Sequence, residues 1–163
     1  MASDQFRGDP GAAVTVVEHG DFECPYCRAA APVLASLVEG SGGRVRLLWR
    51  EFPLFEIHPH ALAAALAAEA ARAQGRFWPM HDQLFAHQEA LDDVSLRRHA
   101  QSVGVDPESV VGAAAQQHAE EVGRQYRDGV EAGVRGTPTL FIDGRLYTGR
   151  ITLPDLRAAT GLD

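Results

Sequence analysis

Apolar and polar positions follow different rhythms along the chain. Residues 13–19 (AVTVVEH) form a short apolar run rich in β-branched side chains, which predicts a buried strand. Residues 20–23 (GDFE) break it. From Cys24 onward, Ala30, Val33, Leu34, Leu37 and Val38 recur at helical spacing until the glycine-rich stretch 40–43. Residues 44–51 (RVRLLWRE) alternate enough to predict a second strand. The first fifty residues thus spell β-α-β.

The far end is equally legible. Residues 139–142 and 145–148 flank Asp143-Gly144, a pair suited to a type I′ hairpin because both central positions need positive φ. Thr152 and Asp155 have the spacing of a helix cap, and the helix they start would turn Leu153 and Leu156 inward and stop near Gly161. Between these halves, residues 57–135 read as helical throughout. One helix over 58–74 carries Leu62, Leu66 and Ala70 on one face. A second carries Phe77, Met80, Leu84 and Phe85, and a third Leu96, Ala100 and Val103. A fourth starts at Asp106-Pro107 and carries Val111, Ala115, His118, Val122 and Tyr126. No repeat and no low-complexity linker interrupts this region. The order resembles the thioredoxin fold: an α/β chain expected as a single domain over 1–163. It has a βαβ half (13–51), an all-helical insertion (57–135) and a ββα half (136–162).

Composition narrows the function. The 163 residues suit one core, and a formal net charge of −7 offers no basic footprint for nucleic acid. All fifteen basic residues are arginine, so no lysine is available as a Schiff-base nucleophile. No run approaches the ~18 apolar residues of a membrane span. The polar start carries no apolar secretory core, so the expected location is cytoplasmic, or periplasmic or extracellular if a leader has been removed.

The chemistry concentrates in Cys24-Pro25-Tyr26-Cys27, where a strand passes through a tight turn into a helix. The first turn of a helix leaves N–H groups unpaired and partly positive, which favours a thiolate. The spacing puts Cys27 one turn deeper, within reach of Cys24. Cys24 would attack or be attacked, and Cys27 would resolve the mixed disulfide. The bland alternatives are two inert thiols or half of a zinc site. Zinc would want a second ligand pair, and the seven histidines are scattered. Residues 136–139 (GTPT) precede the third strand, and the fold plan brings them against the helix start. There Thr137 could offer its backbone to a substrate strand, and Pro138 is expected to be cis.

With these residues in place, the chain resembles the DsbA-like thiol–disulfide oxidoreductases of the thioredoxin superfamily, over about residues 13–162. The resemblance implies that Cys24 is an exposed nucleophile and that Pro25, Tyr26, Thr137 and Pro138 meet a peptide substrate. It also implies that Glu18, six positions before Cys24, is a buried proton acceptor for Cys27. Read without the family, Glu18 could equally pair with an arginine. The pattern departs at Tyr26, where the best-known members carry histidine. Tyrosine cannot lend positive charge, and Asp21 and Glu23 stand just upstream, so a higher Cys24 pKa and a weaker oxidant are expected. His58, His60, His81, His118, Phe77 and Trp78 read as cap or core residues, and Arg28 as a solvated one.

The implied partners are cysteine-containing proteins or peptides and a redox recycling partner, acting on a monomer that holds no cofactor. Three other readings stay open. One is glutaredoxin-like chemistry with glutathione as co-substrate, since C-P-Y-C also serves there. Another is a redox-sensing or partner-binding module without turnover. The third is a metal- or cluster-binding dimer through Cys24.

Overall fold

The computed structural model describes residues 5–162. A two-residue strand, β1 (Phe6–Arg7), opens the chain and pairs antiparallel with β3 (Val45–Glu51). The β-branched run forms β2 (Val14–Gly20), which lies parallel to β3 in register from Val14–Val45 to Gly20–Glu51. The connecting helix α1 (Pro25–Glu39) buries Cys27, Ala30, Leu34, Leu37 and Val38, spaced to face one side. The closing hairpin is β4 (Thr139–Ile142) and β5 (Arg145–Leu146), and the sheet order is β1-β3-β2-β4-β5. Asp143 and Gly144 take positive φ (48° and 81°), as a type I′ turn requires. The last helix, α7 (Leu153–Ala159), is capped by the Thr152 hydroxyl, which accepts the Asp155 N–H at 3.3 Å, and it buries Leu156.

Because side chains alternate across a strand, Val16 and Glu18 share one face of β2 and His19 takes the other. On the first face, α1, α7 and α3 (Phe77–Ala86) pack a continuous core with Val16, Leu47 and Trp49. Phe22 stacks on Trp49 with centroids 4.6 Å apart, and the buried His81 fits edge-on among Phe22, Trp49 and Phe85. The opposite face is covered by α6 (Ala119–Glu131), where Gly129 lets the helix close on Phe52 and His19. Among the described residues no helix is long and apolar enough to cross a membrane.

Four expectations need correction. The fourth helix of the insertion is not continuous: Val111 is extended and Gly112 has φ +60°. The chain instead forms a 3-10 turn (Pro107–Val110), a short α5 (Gly112–Gln116) and α6. A glycine in the left-handed region ends helical progress, and the turn lets Val110 and Val111 both reach the core. Leu62 is 42% exposed, because α2 (Ala61–Ala73) buries its alanines on most of its circumference and leaves Leu62 outside. The segment before Ala13, read as a plain polar start, contributes β1. The second hairpin strand stops at Leu146, where Tyr147 turns to donate its hydroxyl to the Arg150 carbonyl. The third helix is α4 (Asp93–Ser102), with Leu96 and Ala100 buried as expected.

Two features set stability. A Cβ on Gly20 would lie 2.4–2.5 Å from the Trp49 ring, which is fully buried and cannot retreat. Gly20→Ala is therefore expected to cost about 1–3 kcal/mol, read by chemical denaturation. Glu51 is fully buried and faces Glu69 of α2, which is already bonded to Arg72 and Gln125. Burial first, then the charge of Glu69, holds the Glu51 carboxyl well above its ordinary 4.5. The folded protein thus keeps a proton that the unfolded chain releases. That contribution is complete below about pH 4.5 and is lost as pH rises toward the raised folded value. Glu51→Gln should gain stability over the parent as pH is taken from 5 to 8; a stability difference independent of pH would contradict this assignment.

Candidate active site

At the C-terminal end of β2 the chain leaves the sheet through residues 21–23 and enters α1 at Cys24. Cys24 is the N-cap residue, extended at φ −76° and ψ 122°, and Pro25 follows at a position where no N–H is needed. Its sulfur therefore lies over the unpaired N–H groups of the first turn, and Cys27 follows one turn on. Both cysteines are free thiols. The expected contrast in exposure is small: Cys24 is 3% exposed and Cys27 not at all, while Tyr26 between them is 73% exposed. Cys24 is covered because the loop before β4 lies against it, with the Thr137 carbonyl 3.6 Å from Sγ.

That loop carries Thr137 and Pro138, joined by a cis peptide bond. Tyr26, Ala29, Ala30, Thr137, Pro138 and Ile151 line a groove of about 420 Å³ beside the thiol. Pro25 is exposed but outside this lining. Glu18 is buried beneath the site, between its register partners Trp49 and Leu140, and its Oε2 has no hydrogen-bond partner.

The turn 21–24 is held from outside itself. Asp21, fully buried, accepts the N–H of Glu23 (2.7 Å) and of Leu54 (2.9 Å), and the Nδ1–H of His58 (2.7 Å). Glu23 accepts the His60 N–H at 2.7 Å. The Gln88 amide donates to the carbonyls of Phe22 (2.8 Å) and Cys24 (2.9 Å). His58 and His60, expected at a helix start, and Asp21, expected to act only through its charge, instead brace this turn together with Gln88. An aspartate two residues before a backbone donor is a local turn signal. Nothing in the sequence links Gln88, 64 residues away from Cys24, to the motif.

The electrostatics separate the two thiols. A hydrogen bond from the Cys27 thiol, aided by the Thr137 side chain and the backbone of Cys27 and Tyr26, pulls Cys24 down to about 5 against the cost of burial. Burial raises Cys27 far above the ordinary thiol range, and its bond to Cys24 and the charge of Glu18 add to this. Burial, then the Cys24 charge, raises Glu18 to about 8, while Arg7 opposes the shift. Asp21 and Glu23, expected to oppose ionisation of Cys24, turn their carboxylates to the Leu54 N–H, the His58 ring and the His60 N–H. The value near 5 lies between roughly 3.5 and 7, the span of strongly oxidising and reducing motifs of this kind.

Residues 2–160 match the family model described as Thioredoxin. Over 157 residues the chain is 42% identical to a protein named Na(+)/H(+) antiporter NhaA 3 from Salinispora tropica, covering 96% of this chain and 24% of that protein. The chain thus spans about a quarter of the curated relatives it matches. A thioredoxin-like oxidoreductase from Silicibacter pomeroyi is 30% identical, with a TM-score of 0.81 over 96% of this chain and 90% of that one. The thiol–disulfide exchange protein α-DsbA2 of Wolbachia pipientis has a TM-score of 0.83 at 21% identity, over 97% and 86% of the two chains. The chain belongs to the thioredoxin family, and its fold is that of the DsbA-like thiol–disulfide oxidoreductases.

Proposed function

We propose that this protein exchanges disulfides with cysteine-containing protein substrates through Cys24 and Cys27. The observation that carries this reading is the placement of the two thiols: Cys24 caps the first turn of α1 against the cis Thr137-Pro138 loop, and Cys27 lies fully buried one turn deeper. The hydrogen bond from Cys27 holds the Cys24 thiol down to about 5, whereas burial pushes Cys27 up. A low-pKa sulfur is both the attacking thiolate and the better leaving group. The groove beside it, with Tyr26 and the Thr137-Pro138 loop, receives the substrate segment.

In the oxidising direction a substrate thiolate attacks Sγ of Cys24 in the Cys24–Cys27 disulfide. A substrate–Cys24 bond forms, the intramolecular bond breaks, and Cys27 leaves as a thiolate that needs a proton. Glu18, whose burial favours its protonated form, supplies it. A second substrate thiolate then attacks the substrate sulfur and releases the Cys24 thiolate, so two substrate thiols become one disulfide and the enzyme is left reduced. In reverse, Cys24 loses its charge on entering the mixed disulfide. That removes a cause of the raised Glu18 pKa, and the carboxylate it frees can take the Cys27 proton. The stabilised Cys24 thiolate favours the reduced enzyme and hence disulfide donation to substrates in an oxidising compartment. A second disulfide pool must then accept two electrons from the reduced enzyme and restore the Cys24–Cys27 disulfide.

Alkylation of the reduced protein by iodoacetamide should rise through a midpoint near pH 5 and modify one thiol. Cys24→Ser should abolish exchange, and Cys27→Ser should accumulate a mixed disulfide with a disulfide-bonded substrate, which Cys24 attacks and no second enzyme thiol releases. Full turnover of Cys27→Ser with glutathione would instead mean monothiol, glutaredoxin-like chemistry. Glu18→Gln should slow release of the mixed disulfide by roughly tenfold or more, measured by acid quench at neutral pH. It should leave the Cys24 alkylation midpoint near that of the parent; unchanged release would remove Glu18 from the mechanism.

A further inference from the structure

We propose that Gln88 is a positioning residue: its amide fixes the turn that presents Cys24 and so biases that sulfur toward its thiolate and the Cys24–Cys27 pair toward the dithiol. This rests on the exchange reading above and assigns the helical insertion a part in it.

Gln88 lies in the turn after α3, well away in sequence from both halves of the thioredoxin core. Both N–H groups of its amide are used on the nucleophile's turn, one on each side of Glu23. The Cys24 carbonyl that it binds also accepts the Arg28 N–H at 3.1 Å, the first bond of α1. Gln88 therefore holds the residue that begins the helix, and with it the sulfur's place relative to the Tyr26 and Cys27 N–H groups. It also places the positive end of an amide dipole on the Phe22 carbonyl oxygen and on that of Cys24, which it shares with the Arg28 N–H, and so offsets their partial negative charge. Both effects favour the charged form.

The Gln88 turn is itself braced. The Ala90 N–H returns to the His87 carbonyl at 2.9 Å, and the His87 ring stacks on His99 at 5.3 Å between centroids. His99, buried on α4, donates Nε2–H to the Ala90 carbonyl at 2.8 Å, which leaves Nδ1 to accept from Gln83 Nε2 at 3.2 Å. A side chain on a free loop could not impose a geometry on its partners; one on a braced turn can.

The test measures Gln88→Ala in the full chain. The alkylation midpoint of Cys24 should rise by about one unit. The equilibrium against glutathione buffers should shift about tenfold toward the disulfide, about 30 mV for a two-electron couple. Gln88→Glu, whose carboxylate would face two carbonyls, should move both quantities further the same way. Should the alanine variant not fold, Gln88→Met, which keeps the length and drops both donors, is read identically. A loss of thermal stability with an unchanged midpoint and equilibrium would make Gln88 a structural bond only and overturn the proposal. If the parent exchanges no disulfides, the functional reading fails on its own, and the alkylation midpoint still decides the role of Gln88.

Discussion

The unpaired N–H groups at the start of α1 are the constraint around which the site is organised. A helix leaves its first donors without partners, and here a cysteine stands at the cap instead of a serine or aspartate. A thiolate can answer those donors, a thiol does so poorly, and the ionised form gains accordingly. For the sulfur to stay over them, the four-residue turn that delivers it must hold one conformation. The Leu54 N–H and the His58 ring (through Asp21), Gln88, the His60 backbone and the Thr137 carbonyl each restrain part of that turn from another element.

Charge in the same small volume is coupled. Cys24, Cys27 and Glu18 are all nearly or fully buried, and burial penalises each negative charge. One anion is stabilised by directed donors, while burial first, and then that anion beside them, favours the protonated forms of the other two. In the exchange proposed above, covalent chemistry would remove the charge from Cys24 and pass the balance to Glu18, so that redox exchange and proton movement would follow one electrostatic rule. The tyrosine between the cysteines contributes no charge to this set and lies in the open, along the groove.

The helical insertion does more than cover one face of the sheet. It reaches the nucleophile's turn at two points. The stretch leading into α2 brings His58 and His60, and the turn after α3 brings Gln88. Because the insertion packs through the same apolar core as the sheet, through residues such as Trp49, Phe77 and Met80, the two halves of the fold share one frame.

Much of this was legible in the chain. The β-branched run, the helical spacing after Cys24 and the Asp143-Gly144 turn express local rules, in which a residue's own backbone preferences and the period of its neighbours suffice. The C-x-x-C spacing and the capping position of Cys24 belong to the same class, whereas Glu18 stands out only through the family resemblance. Tertiary structure decided what depends on meetings between distant segments. The break at Val111-Gly112 arose where burying two valines outweighed continuing a helix, and β1 exists because β3 offers an open edge. The near-burial of Cys24 depends on the loop before β4, and the hydrogen-bonded surroundings of Asp21 on the stretch after β3. Gln88 is the clearest case: a polar residue in a turn carries no periodic signal, and its meaning comes wholly from the two carbonyls that folding places before it.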